Sequence, residues 1–212
     1  MGNYVRFPIT NVEGDLVAQH RDPDEKLYAS LELNQVAFPK TGMVVSQTPL
    51  GTAFTKAAPC ENGMWVVADK AAGAINPPAA ATDAPIGIVY TTEKEYDKMH
   101  YGLQRFGRKI AGDYPRVGLL GVGDTVTTNC LQYSTSVFAN DAALIAALED
   151  IENNPLYVIP GNASDATASS AKAVPVIVKA AGIPQTGIYA KIVKFYTVPN
   201  GGIGVKYQIV RV

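Results

Sequence analysis

The chain has 212 residues, of which 47% are hydrophobic and 17% charged, and its net charge is −1. That length carries one large β domain or two small ones, with a core able to fold without disulfides or metals. The near-neutral balance and the lack of a Lys/Arg cluster exclude phosphate-backbone binding, which needs several grouped cations. No apolar run approaches the length of a membrane-spanning helix.

The N-terminal residues, Met1-Gly2-Asn3-Tyr4-Val5-Arg6-Phe7, lack the apolar stretch of a secretory signal. Arg6 breaks the myristoylation pattern that Gly2 would open. The expectation is a chain made in the cytoplasm. Residues 1–40 are polar and broken by Pro23 within Asp22-Pro23-Asp24-Glu25-Lys26. They read as an extended N-terminal arm that either orders against a partner or packs as an irregular start on its own domain. Tyr4, Phe7 and Tyr28 are its candidate partner contacts.

Residues 41–212 read as a β-rich body. Met43-Val44-Val45 is a short strand. The Asn62-Gly63 turn signal opens a second over 63–68, and 86–90 is a third, rich in β-branched residues. Between them, 71–85 is Ala/Gly/Pro-rich, and Pro77-Pro78 prevents a continuous helix, so this is an extended loop. Residues 91–114 are polar and aromatic, with Gly102, Gly107 and Gly112 interrupting any long helix. This segment either protrudes, presenting Tyr96, Tyr101 and Phe106 as contacts, or folds back with its aromatics buried. A body of two sub-domains would divide here. Arg105, Arg108 and Lys109 form the densest basic stretch and read as a solvated turn.

Strand-like composition returns over 117–126, bent by Gly118, Gly121 and Gly123, and a β-branched strand follows the Gly123-Asp124 turn. Residues 141–151 form the one clear helix, capped by Asn140 or Asp141 and carrying Leu144, Ile145 and Leu148 on one face. Asn153-Asn154-Pro155 ends it. Residues 156–159 are a strand, 161–172 a loop of low complexity, and 174–178 a strand whose Pro175 marks an edge or a strand start. The clearest signal is a C-terminal β-hairpin over 187–212, turning at Pro199-Asn200-Gly201-Gly202. In its second strand Ile203, Val205, Tyr207 and Ile209 alternate with Gly204, Lys206 and Gln208. The expected fold is mainly β, an antiparallel β-sandwich or barrel with one short helix and this hairpin.

Constellations for chemistry are missing. Gly118, Gly121 and Gly123 read as bent strand rather than a nucleotide loop, and no nucleophile elbow occurs. His20 lies near Asp22, Asp24 and Glu25 in an open polar segment that reads as solvated. Cys60 and Cys130 read as two small buried thiols, with one long-range disulfide as the alternative. A Cys60/His100 dyad would need closeness in space, and no cation near Cys60 in sequence depresses its pKa. The expectation is no catalytic residue, no cofactor and no metal, hence no enzyme.

Gly42-Met43-Val44-Val45, Ala58-Pro59, Asn62-Gly63-Met64-Trp65-Val66-Val67-Ala68, an Ala/Pro loop and Ala84-Pro85-Ile86-Gly87-Ile88-Val89-Tyr90 together resemble tailed-bacteriophage head decoration (cement) proteins. Pro115-Arg116-Val117-Gly118 with Gly123-Asp124 and Thr128-Asn129 is similar to stretches of phage structural proteins. The resemblance covers a third to half of the chain and lies in strand order, turn residues and composition. It implies a structural virion protein on the capsid surface that binds the major capsid protein and stabilises the shell. It also implies self-association, with a trimer as one form, and no nucleic-acid or membrane partner. A tail, neck or fibre-base protein is the first alternative, and a small hydrolase or carbohydrate-binding β-sandwich the second.

Overall fold

The computed structural model describes residues 4–6, 31–32, 44–45, 48–56, 58–68, 71–80, 83, 85–90, 108–161, 173–197 and 203–212. Fourteen strands and one α-helix lie among them, so the chain is mainly β as expected. The strands are β1 (Tyr4–Arg6), β2 (Leu31–Glu32), β3 (Val44–Val45), β4 (Cys60–Glu61), β5 (Trp65–Val67), β6 (Ile86–Val89) and β7 (Arg108–Lys109). They continue with β8 (Val117–Leu119), β9 (Thr125–Thr128), β10 (Gln132–Ser134), β11 (Leu156–Ile159), β12 (Val176–Lys179), β13 (Tyr189–Thr197) and β14 (Ile203–Arg211). Helix α1 (Asp141–Glu149) lies between β10 and β11.

An eight-stranded sheet runs β1-β10-β12-β11-β13-β14-β9-β2, a four-stranded sheet runs β3-β8-β6-β5, and β4 pairs with β7 alone. All pairings are antiparallel except β10 with β12. Pro175 immediately precedes β12, which lies inside the sheet, so the proline marks a strand start and not an edge. Arg108 and Lys109, expected in a solvated turn, form β7 opposite Glu61 and Cys60.

The four-stranded sheet lies over one half of the large sheet. Trp65, Ile86 and Ile88 on its facing side pack with Val126, Ile192, Val205, Tyr207 and Ile209 from the large sheet in one buried cluster. Burying each such large side chain contributes about 1.5–3 kcal/mol. Inside this cluster the Trp65 indole Nε1 donates to Tyr207 Oη at 2.9 Å, with the rings edge to face at 5.8 Å. Helix α1 covers the other half of the same face through Leu144 and Leu148. Asn140 caps the helix, its side chain accepting from the Ala143 amide at 2.9 Å. Tyr133 on β10 donates its hydroxyl to Asp141 at 2.5 Å, tying the first helical turn to the sheet.

The second face of the small sheet carries its own core. Val66, Val89 and Val117 pack there with Leu50, Phe54, Met64 and Ile75. Backbone bonds stitch the covering loops together, with the Leu50 amide on Asp113 O at 2.9 Å and the Ile75 amide on Pro49 O at 2.8 Å. The Asn62-Gly63 turn does not join two paired strands. It carries the chain from β4, which pairs β7, into β5 of the small sheet. Gly63 has φ +89°, and a Cβ there would lie 2.6 Å from Cys130 Cβ, so only glycine suits the position.

Trp65→Phe and Tyr207→Phe are each expected to destabilise the fold by about 1–3 kcal/mol, since each leaves a buried polar group unpaired. The double variant should lose less than the sum, measured by urea unfolding. Strictly additive losses would mean that the bond does not couple the sheets.

Candidate functional site

With its inner face covered, the large sheet presents part of its outer face; Thr127, Val176 and Val178 on that side are buried. Strand alternation places Tyr157, Tyr189, Lys191, Lys194, Lys206, Gln208, Thr125 and Thr127 on that side, and the register sets them beside one another. Tyr157 lies opposite Lys191, Lys191 opposite Gln208, Lys194 opposite Lys206, and Lys206 opposite Thr127. Lys191, Lys194 and Gln208 are exposed, and Lys206 is half-buried. A register shift between Ile192 and Lys194 admits Val193 as an extra residue, 46% exposed. No acidic residue lies on β9, β11, β13 or β14, and on the edge strand β2 the register sets Glu32 opposite Thr127.

Other described acids lie across the sheet. Asp141, Glu149, Asp150 and Glu152 cluster on α1 and its C-terminal turn, on the opposite side of the large sheet. Among the described residues these acids thus lie apart from Lys191, Lys194 and Lys206. Side-chain amides of Asn153 and Asn154 donate to Asp150 at 2.7 and 2.5 Å and hold its carboxyl below the usual range.

At one end of the cationic face Arg211 is immobilised. Its Nε, Nη1 and Nη2 donate to the carbonyls of Gly187, Gln185 and Pro184 at 2.7, 2.9 and 2.7 Å, and the guanidinium stacks 4.8 Å from the Tyr189 ring centre. Tyr189 in turn meets Tyr157 edge to face at 6.1 Å. These contacts make a stiff aromatic corner beside the lysines.

The expected site residues fare unevenly. Tyr4 is half-buried on β1, opposite Ser134. Phe7, Tyr28, Tyr96, Tyr101 and Phe106 lie outside the described residues, as do His20 and His100. Cys60 and Cys130 are buried, unbridged thiols in one apolar cluster. Among the described residues no group of three His, Cys, Asp or Glu side chains is gathered to hold a metal ion, and no helix is long and apolar enough to cross a membrane. The lysine face was not singled out from sequence, although the polar phase of β14, with Lys206 and Gln208, was visible in its alternation. No family model, curated protein or solved structure matches the chain.

One buried charge lies at the end of this face. Asp124 is fully buried at the turn into β9, where Oδ2 accepts from the Gly121 amide at 2.8 Å. Its Oδ1 has no hydrogen-bond partner among the described residues. Burial raises its pKa, and the Gly121 bond opposes that in part. A carboxyl raised in the folded state binds protons more tightly there than in the unfolded chain. Its contribution to stability is therefore greatest below the ordinary carboxylate range and falls as pH rises through the folded value. Asp124→Asn should remove this dependence. The stability of the variant relative to the natural chain is expected to increase from pH 4 to pH 7 in thermal melts. A constant difference would mean that the carboxyl is not perturbed.

Proposed function

We propose that this chain is a structural protein of a tailed-phage virion, a decoration protein that binds the assembled shell through the outer face of its large sheet. The observation that carries the reading is the face itself. It is a ladder of Lys191, Lys194 and Lys206 with Gln208 and Thr125, bounded by the Tyr157/Tyr189 corner, with no acidic residue on β9, β11, β13 or β14 and with Glu32 on the edge strand β2 in register with Thr127. A surface of this kind would be complementary to an acidic patch on the major capsid protein.

The sheet beneath is buried on its inner side by a second sheet and a helix, so the face is held rigid before binding. A protein that binds only the assembled state stabilises it by mass action and needs no reactive group. The β-rich fold, together with the resemblance of residues 42–90 to head decoration proteins, supports the same reading.

Reversing charge in Lys191→Glu/Lys194→Glu is expected to weaken co-sedimentation with purified shells by roughly tenfold or more. Exposed ion pairs contribute up to ~1 kcal/mol each, and reversal replaces attraction with repulsion. Unreversed protein should lose binding steeply as salt rises. Unchanged binding by the reversed variant would place the contact elsewhere. Quantitative mass spectrometry of purified particles separates locations: hundreds of copies in fixed ratio to the shell protein support decoration, and a few tens support the tail or neck.

A further inference from the structure

The chain crosses between the two sheets in a turn that buries a carboxyl. Residues 120–124 lead from β8 of the small sheet to β9 of the large one. The Leu120 amide donates to Ile86 O at 3.2 Å and ties one end of the turn to the small sheet. At the other end the Gly123 amide donates to Ile209 O and the Ile209 amide to Asp124 O, each at 2.9 Å. These two bonds extend the β9–β14 ladder beyond its Thr125–Gln208 pair. Within the turn the Asp124 amide donates to Gly121 O at 3.1 Å, and Gln208 Nε2 reaches Gly123 O at 3.3 Å.

Side-chain packing does not hold the tip. Val122 is 47% exposed, and Gly123 is exposed at φ +96° with open space where a Cβ would stand. The side chain that the turn buries is that of Asp124. Its Oδ2 accepts from the Gly121 amide at 2.8 Å, while Oδ1 is buried without a partner among the described residues. A neutral carboxyl there leaves one polar group unpaired, at about 1–3 kcal/mol. An ionised one leaves an unpaired anionic oxygen out of water, which costs more.

We propose that this turn is a pH-gated latch, closed while Asp124 is neutral and opening locally when Asp124 ionises and turns its carboxyl to solvent. Opening releases the Gly123 and Ile209 bonds and the Gln208 contact, and leaves the ladder from Val205 to Gln208 in place. Gly123, already at positive φ, supplies the backbone freedom. Burial raises the folded carboxyl above its ordinary range. The closed turn is therefore favoured below the raised value and loses that advantage as pH rises through it.

The surrounding elements single out this carboxyl. Among the described residues β5, β6, β8 and β9 carry no charged side chain. On β13 and β14, Lys191, Lys194 and Lys206 lie on the outer face, Tyr207 accepts from Trp65, and Arg211 is held by the carbonyls of Pro184, Gln185 and Gly187.

Amide hydrogen exchange of the full chain, followed by NMR as protection factors, reads the latch at about pH 4 and about pH 7. Protection factors remove the chemical pH dependence of exchange itself. The Gly123 and Ile209 amides report local opening, and the amides of β11 and β12 report global unfolding. Protection at Gly123 and Ile209 is expected to fall several-fold between the two pH values while β11 and β12 change little. In Asp124→Asn the same two amides should be equally protected at both. The carboxyl carbon signal of Asp124 in the natural chain should titrate with the midpoint of the fall, a measurement that decides the matter even if the variant does not fold. Constant protection at Gly123 and Ile209 would overturn the inference. So would an equal fall in Asp124→Asn, a fall matched by β11 and β12, or a carboxyl midpoint apart from the fall. Gln208 belongs to the contact face only under the reading proposed above, but the latch is measured without any shell, so the two proposals fail separately.

Discussion

The hydrogen bond from Trp65 to Tyr207 is the constraint on which the arrangement depends. The indole N–H can only donate, and the phenol oxygen accepts it inside an otherwise apolar cluster, 142 residues away in the chain. Neither polar group could be buried alone without a penalty of about 1–3 kcal/mol. The bond therefore ties β5 to β14 in one relative position. Because side chains alternate with period two, it also selects which phase of β14 faces inward. Val205, Tyr207 and Ile209 take the core side, and Lys206 and Gln208 are left outside. The same contact that closes the sandwich thus presents the cationic face. Burial also pushes the Tyr207 hydroxyl far above its ordinary range, so it remains neutral.

The inner face of the large sheet is too wide for a four-stranded partner. Helix α1 covers the remainder, and its acidic residues follow it to that side. Tyr133 ties the helix to the large sheet by placing its ring in the core and its hydroxyl on Asp141. Burial and the neighbouring carboxylate together push the Tyr133 pKa up to about 12, so this donor persists across the physiological range. Charge segregation is therefore a consequence of packing: acids accompany the helix, and lysines accompany the solvated phase of the sheet. Among the described residues, the lysines of β13 and β14 and the acids of α1 lie on opposite sides of the large sheet.

Much of this was legible in the sequence wherever a local signal existed. The strand over 156–159, the hairpin over 187–212 and the helix with its Asn140 cap follow from alternation, from helical spacing and from a capping side chain. The observed bounds are Leu156–Ile159, Tyr189–Arg211 and Asp141–Glu149. Strand β10 was missed because Gln132 and Ser134 are polar and the run is three residues long; its burial comes from neighbours distant in sequence. Asn62-Gly63 was correctly a turn, but its role in passing the chain between sheets depends on pairings with β7 and β6 that no local pattern encodes. The lysine face was hidden for a similar reason. The extra residue Val193 shifts the ladder, and only with that shift does Lys194 come opposite Lys206. Of the residues expected to make contacts, Tyr4 alone falls within the described structure, so the candidate face owes almost nothing to that expectation.

The proposed contact face is weak by construction. Exposed lysines on one sheet face give a contact of a few kcal/mol at most, screened by salt beyond about 8 Å. One copy held this way would dissociate readily from a shell. Stable retention under that proposal would need many copies acting as linked contacts, in which avidity can exceed a single affinity by about 10²–10⁴. Weakness of the single contact would then let copies settle and rearrange, and retention would depend on the ordered array that an assembled surface provides.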